Sequence, residues 1–506
     1  MISKITSIAP IGYDGIIIEV ETDIKQGLPG IQIVGMGNKS IDEAKERVRS
    51  AIINSSLDYP ARKIIVNLAP AEIRKDGTFL DLAIALSILV ASDKIKQSEV
   101  SDFVFVGELA LDGSLRPVRG IINILQTAKD NGITKVFIPH GNNKQASLVS
   151  DIEIIPVSSL KDIFLHLRGV SLLSPIATSD PVKSSIISAS ISLDDISGQD
   201  QAKRALQIAA AGRHNILLNG PPGAGKTMLA KALIGLMPAP SPTEVIDITK
   251  IHNLAGIATE SAVTIRPFRS PHHTTSAVSI IGGGNSPKPG EISLAHHGVL
   301  LLDELPEYPR STLESLRQPL EDKQVSISRA NGRVTYPANF LLVATMNPCP
   351  CGYYSVDLNK CTCSATNIAA YQRRLSGPLL DRIDLIVNVS KISTEHILNN
   401  RSMNNKQHSL VLDIVSKAIQ KQMHRFKSRD IYNAYASNDA VLSSFNIDKS
   451  AIDLLSSAAD KLDISARSYF KILKVSRTIA DLDNSDTVRT EHISEAMQFR
   501  IKGVNG

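Results

Sequence analysis

The pattern of hydrophobic and polar positions changes twice along the chain and divides it into three regions. In residues 1–168, short runs rich in β-branched residues alternate with helical segments, which is typical of an α+β domain. In residues 191–390, apolar strands alternate with helices and glycine-rich turns, which predicts a parallel sheet flanked by helices. In residues 391–506, apolar residues recur at helical spacing and predict a helical domain.

Individual elements follow from the same patterns. Strands are predicted around residues 16–18, 64–66 and 104–106, and a buried helix over 81–91. Helices are predicted over 451–462, 468–481 and 491–500. The stretch 169–190 is serine-rich, contains two prolines and has no helical period, so we expect a surface linker between the first two domains.

Composition narrows the class of protein. At 506 residues the chain is too long for one compact core, and 43% hydrophobic with 21% charged residues excludes a wholly disordered chain. No apolar run reaches the length of about 20 residues that spans a bilayer, and the N-terminus lacks the apolar segment of a signal peptide, so a cytoplasmic protein is expected. A net charge of +5 permits a local basic surface, while the absence of tryptophan argues against base stacking as the main binding mode.

The most informative segment is a phosphate-binding loop. A short apolar strand leads into the pattern G-x-x-x-x-G-K-T, and a helix follows. Glycines let backbone N–H groups converge on phosphate oxygens, and the helix N-terminus adds positive potential. Lysine reaches the β and γ phosphates, and the threonine hydroxyl helps to hold Mg²⁺. The predicted ATP-binding residues are Gly220, Pro221, Pro222, Gly223, Ala224, Gly225, Lys226 and Thr227.

Two later strands end in polar residues suited to the same site. The apolar run 299–302 ends at Asp303 and Glu304, predicted to hold Mg²⁺ and to polarise the attacking water respectively. A further apolar strand, residues 340–345, leads to Asn347, which could hydrogen-bond the water or the γ phosphate. The simpler alternatives are a buried strand that ends in acids and a turn asparagine.

Two arginines are candidate partners of the transferred phosphoryl group. Arg382 lies between Asp381 and Asp384, and Arg467 opens a predicted helix. A cation on this group accelerates nucleotide hydrolysis. A local salt bridge and a solvated helix face are the alternatives.

All four cysteines lie in one short stretch, as Cys349, Cys351, Cys361 and Cys363. Four thiolates can complete a tetrahedral structural Zn²⁺ site, although the Cys-x-Cys spacing is less usual than Cys-x-x-Cys. Free reduced thiols are the alternative. The histidine pairs at 272–273 and 296–297 fit a metal site poorly, because adjacent side chains diverge on a strand or helix.

In order and spacing, these motifs resemble those of AAA+ ATPases. The phosphate loop, residues 299–304, Asn347, Arg382 and Arg467 resemble Walker A, Walker B, sensor 1, the arginine finger and sensor 2. The stretches 267–274, 282–284 and 289–298 look like the magnesium-chelatase-like branch, and nearly the whole chain resembles the ComM/YifB family. The resemblance implies a cytoplasmic homo-hexameric motor that uses ATP and Mg²⁺ to promote branch migration of DNA in natural transformation and homologous recombination, with recombination proteins as further partners.

The resemblance also assigns positions to site residues. It implies that Arg382 reaches the nucleotide of the neighbouring subunit and that Arg467 comes from the helical lid; Arg373 and Arg374 are rival fingers. It implies that hairpins project into the ring pore. Candidate hairpins span 279–293, with Lys288, and 325–336, with Arg329 and Arg333 beside an Asn-Gly turn signal. Contacts there would be with single-stranded or branched DNA, mainly through phosphates. The alternative is an exposed hairpin whose arginines serve solubility.

The N-terminal region resembles the proteolytic domain of Lon, which uses a serine–lysine dyad. Here residues 76–81 contain no serine and residues 120–123 no lysine, so peptidase activity is not expected and a scaffold, DNA-binding or ring-stabilising role is favoured. For the whole chain, an ATP-driven DNA motor is the leading hypothesis. A chelatase-like ATPase that remodels a protein partner and a scaffold without motor activity are the alternatives.

Overall fold

The computed structural model describes most of the chain. The described ranges are 2–35, 39–72, 75, 77–177, 191–257, 262–284, 287–329, 332–354, 360–391, 406–429 and 431–501. None of the helices in these ranges is both long and apolar enough to cross a membrane. The predicted domain limits stay predictions, since much of the linker, 178–190, and residues 392–405 lie outside the described residues.

The N-terminal domain is built on a mixed seven-stranded sheet in the order β3-β4-β2-β1-β5-β8-β9, with a small ribbon of β6 and β7. Its strands are β1 Ser3–Ala9, β2 Ile16–Lys25, β3 Gly30–Val34, β4 Lys63–Ala69, β5 Phe103–Phe105, β6 Glu108–Leu109, β7 Leu115–Arg116, β8 Lys135–Pro139 and β9 Glu153–Val157. Its helices are α1 Lys39–Asn54, α2 Asp81–Ala91, α3 Ile121–Asp130, α4 Asn143–Ala146 and α5 Leu160–Leu167.

Burial explains this arrangement. Helix α2 is apolar on all sides because it packs against β1 and β2 and is buried from Asp81 to Val90. The predicted strands and the predicted helix over 81–91 are confirmed, with Val106 just beyond the end of β5. The described part of the linker, residues 169–177, contains no helix or strand, and Leu173 and Ile176 pack against the N-terminal core.

The central domain contains a five-stranded sheet in the order β11-β14-β17-β10-β18, parallel in every pair. Its strands are β10 Ile216–Asn219, β11 Phe268–Arg269, β14 Val299–Leu302, β17 Leu341–Met346 and β18 Leu385–Asn388. Its helices are α6 Asp200–Gly212, α7 Lys226–Leu236, α8 Pro242–Leu254, α9 Ala277–Ile281, α10 Glu291–Leu294, α11 Arg310–Ser315, α12 Arg317–Asp322, α13 Ala365–Gln372 and α14 Gly377–Leu380. Strands β14 and β17 are wholly buried, since helices cover both faces of a parallel sheet.

Both candidate hairpins contain antiparallel strands. The first is a short ribbon of β12 Gly282–Gly283 and β13 Lys288–Pro289. The second pairs β15 Gln324–Arg329 with β16 Gly332–Pro337. Here Gly332 pairs with Arg329 and is the first residue of β16, so it is not part of a two-residue turn as predicted, while Asn331 lies outside the described residues. Apolar pairs across the strands, Ile327 with Val334 and Val325 with Tyr336, favour this register.

The C-terminal domain is helical, as predicted. Its helices are α15 Gln407–Phe426, α16 Asn438–Ser444, α17 Lys449–Lys461, α18 Ala466–Leu482 and α19 Thr490–Ile501. Helix α18 lies between α6 and α15 and carries a buried carboxylate, Asp481. Asp481 accepts hydrogen bonds from Arg425, Arg477 and Asn433.

The N-terminal domain contacts the central domain through helix α8. The Tyr13 hydroxyl donates to Asp247 at 2.6 Å, and the Lys250 ammonium lies 3.8 Å from the centre of the Tyr13 ring. Asn253 accepts from the backbone N–H of Gly120 at 3.1 Å and donates to Gln145 at 2.7 Å. These contacts hold α8, which follows the phosphate-loop helix in the chain, against the N-terminal domain.

The buried carboxylate of α18 yields a stability prediction. Asp481→Asn should lower the free energy of unfolding by about 3–5 kcal/mol, because two arginines lose the charge that compensates them in the interior. Thermal unfolding followed by circular dichroism measures this loss. Asp460→Asn, an exposed position on α17, is the matched control and should leave the transition unchanged. An equal transition temperature for both variants would contradict the role given to Asp481.

Candidate nucleotide site

The phosphate loop connects the carboxyl end of β10 to the N-terminus of α7. Gly223 and Gly225 have φ of +73° and +86°, a backbone conformation that favours glycine. At Gly220 a Cβ atom would lie 2.2 Å from the carbonyl oxygen of Val389, so only glycine fits. The backbone therefore forms the strand–loop–helix turn that the sequence pattern predicts.

Lys226, the first residue of α7, lies at the centre of this turn. Its ammonium donates to the carbonyl oxygens of Gly220 at 2.5 Å and Pro221 at 3.0 Å, and to Oδ1 of Asn347 at 2.9 Å. Burial lowers the pKa of Lys226, and the nearby carboxylates Asp303 and Glu304 act in the opposite direction. The ammonium of Lys226 therefore connects the phosphate loop to Asn347, the residue that follows β17.

Asp303 follows β14 and lies beside Thr227. The Thr227 hydroxyl donates to Oδ2 of Asp303 at 3.3 Å, and the Thr345 hydroxyl donates to Oδ1. Hydroxyl and carboxylate oxygens are the ligands that Mg²⁺ prefers, so this pair fits a magnesium ion beside bound phosphates. Thr345 also accepts from the backbone N–H of Glu304 at 3.0 Å and so orients both acids.

Glu304 points toward open space at the same edge of the sheet. Its side chain is 53% exposed, and its Oε2 atom lies 3.9 Å from Nδ1 of His273. The backbone of Glu304 has a left-handed conformation, with φ of +53°, which turns the chain sharply after Asp303. The carboxylate is therefore accessible to a water molecule on the side of the phosphate loop.

Arg382 and Arg467 lie at the opposite edge of the sheet. Arg382 precedes the amino end of β18, which runs parallel to β10, and roughly 10 Å of strand at about 3.3 Å per residue separates this edge from the phosphate loop. Both arginines bind one carboxylate, Glu321 at the end of α12. The structure therefore brings these two predicted residues together, but away from the phosphate loop of the same chain.

The rival arginines lie elsewhere. Arg374 donates to the Pro306 carbonyl oxygen at 3.2 Å and pairs with Glu307 at 3.0 Å, close to the Walker B residues. Arg373 is exposed at the end of α13. Neither lies at the edge occupied by Arg382.

The four cysteines form one cluster, and their sulfur atoms all lie within 4.8 Å of one another. The Sγ atom of Cys349 is 3.3 Å from that of Cys351 and 3.9 Å from that of Cys361. Sulfur atoms on a tetrahedral Zn²⁺ with bonds of about 2.3 Å would be about 3.8 Å apart, so the donor set fits zinc. A hydrogen bond from the Tyr353 backbone lowers the pKa of Cys351, whereas desolvation and hydrogen bonds with the neighbouring thiols raise the pKa of Cys361 and of Cys363.

This cysteine loop packs against the phosphate loop. Gly352 has φ of +84°, and a Cβ atom there would lie 2.4 Å from Cδ of Pro222. Residues 355–359, between the two cysteine pairs, lie outside the described residues. The cluster is thus placed to support the phosphate loop mechanically.

The hairpins pack against each other. The Tyr336 hydroxyl donates to the Pro287 carbonyl oxygen at 2.7 Å, and Ile327 lies beside Gly282. Lys288 and Arg333 are exposed, and Arg333 donates to the Ser326 hydroxyl at 3.2 Å. The side chain of Arg329 lies outside the described ones.

A second group of potential metal ligands consists of Asp247, His296 and His297. Burial lowers the pKa of His296 to about 3, so its ring is neutral. Its Nδ1 accepts a hydrogen bond from the Asn339 backbone at 2.9 Å, which leaves the proton on Nε2 and no lone pair there for a metal. The ring centres of His296 and His297 lie 3.9 Å apart, and those of His272 and His273 lie 4.1 Å apart. The predicted divergence of adjacent side chains is therefore wrong, although His296 in this tautomer offers no lone pair to a metal.

Three functional candidates escaped prediction from sequence. Thr345 ends an apolar strand and differs from its neighbours only by its hydroxyl, so its contacts with Asp303 and Glu304 depend on strand register. Glu321 lies in an ordinary polar helix, and no local signal connects it to Arg382 and Arg467. For Gly352 the sequence contained only a weak indication of a special role, namely a glycine inside the cysteine loop.

Comparison with known protein families covers most of the chain. The family described as "Magnesium chelatase, subunit ChlI" matches residues 192–397. "Subunit ChlI of Mg-chelatase" matches 20–142, and "Magnesium chelatase, subunit ChlI C-terminal" matches 406–500.

Some individual relatives match nearly the full length of the chain. The chain is 42% identical to the competence protein ComM of Haemophilus influenzae, over 97% of this chain and 96% of that protein. It is 40% identical to YifB of Escherichia coli over the same shares. It is 26% identical over 213 residues to Lon protease of Rhizobium meliloti, 40% of this chain and 25% of Lon. The chain therefore belongs to the ComM/YifB family of magnesium-chelatase-like AAA+ ATPases.

Proposed function

We propose that the protein is an ATP-driven DNA motor, a helicase that promotes branch migration during natural transformation and homologous recombination. The observation that carries this proposal is the contact of Lys226 with Asn347, beside the pair of Thr227 and Asp303. These four side chains surround the space in which a triphosphate with its Mg²⁺ would lie, and Glu304 faces that space. The competence role is extended from ComM, to which the chain is similar.

In the proposed reaction each side chain has a separate task. Lys226 binds the β and γ phosphate oxygens in place of its present acceptors, and Asn347 orients the attacking water or the γ phosphate. Thr227 and Asp303 would hold a bound Mg²⁺, which would neutralise charge that develops on the phosphates. Glu304 accepts a proton from the attacking water.

The arginines complete the site from another copy. Arg382 and Arg467 lie at the edge of the sheet remote from the phosphate loop of their own chain, so we propose that they serve the nucleotide of a neighbouring subunit in a ring of six. A guanidinium group placed on the transferring phosphoryl group accelerates hydrolysis strongly. The ring explains why one chain carries the two halves of the site on opposite edges.

Removal of the phosphate-loop lysine tests the motor directly. Lys226→Ala should lose ATP binding, hydrolysis and strand displacement from forked DNA. Glu304→Gln should retain binding but hydrolyse ATP about 10²–10⁴-fold more slowly, since a positioned base is lost. Hydrolysis is measured with and without single-stranded, duplex and forked DNA. Lys231→Ala, an exposed lysine later in the same helix, is the control.

The same assay separates the competing functions. Hydrolysis without strand displacement would refute the helicase, and stimulation by a protein partner but not by DNA would favour the remodelling ATPase.

Mixing two inactive variants tests the ring. Lys226→Ala and Arg382→Ala should each be inactive, and their mixture should regain part of the ATPase activity. An intact phosphate loop then meets an intact arginine across some interfaces. Failure of the mixture to recover would contradict a shared site.

We propose that the hairpins hold DNA through its phosphates. Lys288→Ala combined with Arg333→Ala should weaken binding to all sequences alike. The slope of log affinity against log salt should fall by about 0.9 per lost contact on duplex DNA and about 0.7 on single strands. Fluorescence anisotropy over a salt series measures both. Lys144→Ala, an exposed lysine of the N-terminal domain, should leave the slope unchanged.

We propose further that Cys349, Cys351, Cys361 and Cys363 hold a structural Zn²⁺ ion. Purified protein should contain one zinc ion per chain by elemental analysis, because four thiolates fill the coordination shell. Cys361→Ser should lose the metal and weaken ATP binding, since the cysteine loop packs against Pro222. Protein without zinc that binds ATP as tightly as the wild type would refute this role.

A further inference from the structure

A cavity of about 730 Å³ lies between the amino edge of the central sheet and the lid helix α18. Its lining carries many more cations than anions. The cationic side chains are Arg213, Lys323, Arg382, Arg467, Lys471 and Lys474, and the carboxylates are Glu321 and Asp384. Arg467, Lys471 and Lys474 project from one face of α18, as their spacing of four and three residues requires.

One of the two carboxylates, Asp384, already has an ion-pair partner and a hydrogen-bond donor. Asp384 lies 2.6 Å from the Lys471 ammonium and accepts from the backbone N–H of Asn215 at 3.1 Å. Lys323 and Lys474 form no ion pair with any residue in the described ranges, and Lys323 lies 4.3 Å from the centre of the Tyr435 ring. Like charges gathered in a half-buried cavity favour the entry of an anion.

Glu321 occupies the position of such an anion. Its Oε2 lies 2.6 Å from Arg382, and its Oε1 accepts from Arg467, so each oxygen binds one guanidinium as a phosphate would. Arg382 also donates to the carbonyl oxygens of Arg317 at 3.1 Å and Pro378 at 2.5 Å. As a result its side chain is only 9% exposed, withdrawn from any neighbouring molecule.

We propose that Glu321 is a built-in counter-anion that withholds Arg382 and Arg467 until the triphosphate carried by a second copy of the chain displaces it. This inference rests on the proposed function, because the displacing phosphate belongs to a nucleotide on the phosphate loop of that copy. A terminal phosphate carries more charge and more acceptor oxygens than a carboxylate, so it binds the paired guanidiniums more strongly. Glu321 is therefore a positioning residue that makes hydrolysis depend on assembly.

The test compares ATPase activity across a range of protein concentrations. In Glu321→Gln the concentration at half-maximal specific activity should fall about fivefold, as expected when a partly exposed ion pair no longer competes. The maximal rate should remain close to that of the wild type. Asp322→Asn, an exposed acid next in the same helix, should not shift the midpoint, and Glu321→Asp should restore it.

Inorganic tripolyphosphate provides a measurement without hydrolysis. In a Lys226→Ala background, which removes the phosphate-loop lysine, tripolyphosphate should raise the Tm of the Glu321→Gln variant more than that of the Asp322→Asn variant. Equal shifts in Tm would overturn the proposal. It would also be overturned if Glu321→Gln left the protein concentration at half-maximal ATPase activity unchanged, with or without a lower maximal rate. Hydrolysis by Lys226→Ala itself would instead refute the proposed function.

Discussion

The register of the central parallel strands governs the arrangement of this protein. Asn219 of β10 pairs with Met346 of β17, and Leu302 of β14 pairs with Ala344, so the three strands end almost level. The residues that follow them must then emerge at one edge of the sheet. Lys226, Asp303 and Asn347 come from distant parts of the chain and meet there because strand pairing leaves no other arrangement.

The same register separates the two halves of the proposed reaction. Strand β18 runs parallel to β10, so Arg382, which precedes β18, lies at the edge where β10 begins. One chain cannot bring this arginine to its own phosphate loop without breaking the sheet. The proposed site shared between copies would use both edges, and the proposed role of Glu321 would make it depend on assembly.

The N-terminal domain is similar to Lon, but the stretches that match the serine and the lysine of the Lon dyad contain neither residue. Asn123, in the stretch that matches the lysine of Lon, donates through its side chain to the carbonyl oxygen of Tyr13 at 2.6 Å. Tyr13 in turn contacts Asp247 of α8. Polar groups in this region therefore connect the domain to the ATPase module, in keeping with a structural role.

Local pattern alone was enough to predict the parallel sheet, the helical C-terminal region, the phosphate loop and the cysteine cluster. Periodicity identifies each element, and glycine spacing is dictated by a backbone turn that tolerates few other residues. The contacts of Thr345 and Gly352, the hairpin register and the shared position of Arg382 and Arg467 came only from the folded chain. These depend on pairing between segments far apart in sequence, and no local preference encodes which side chain another strand will place beside it.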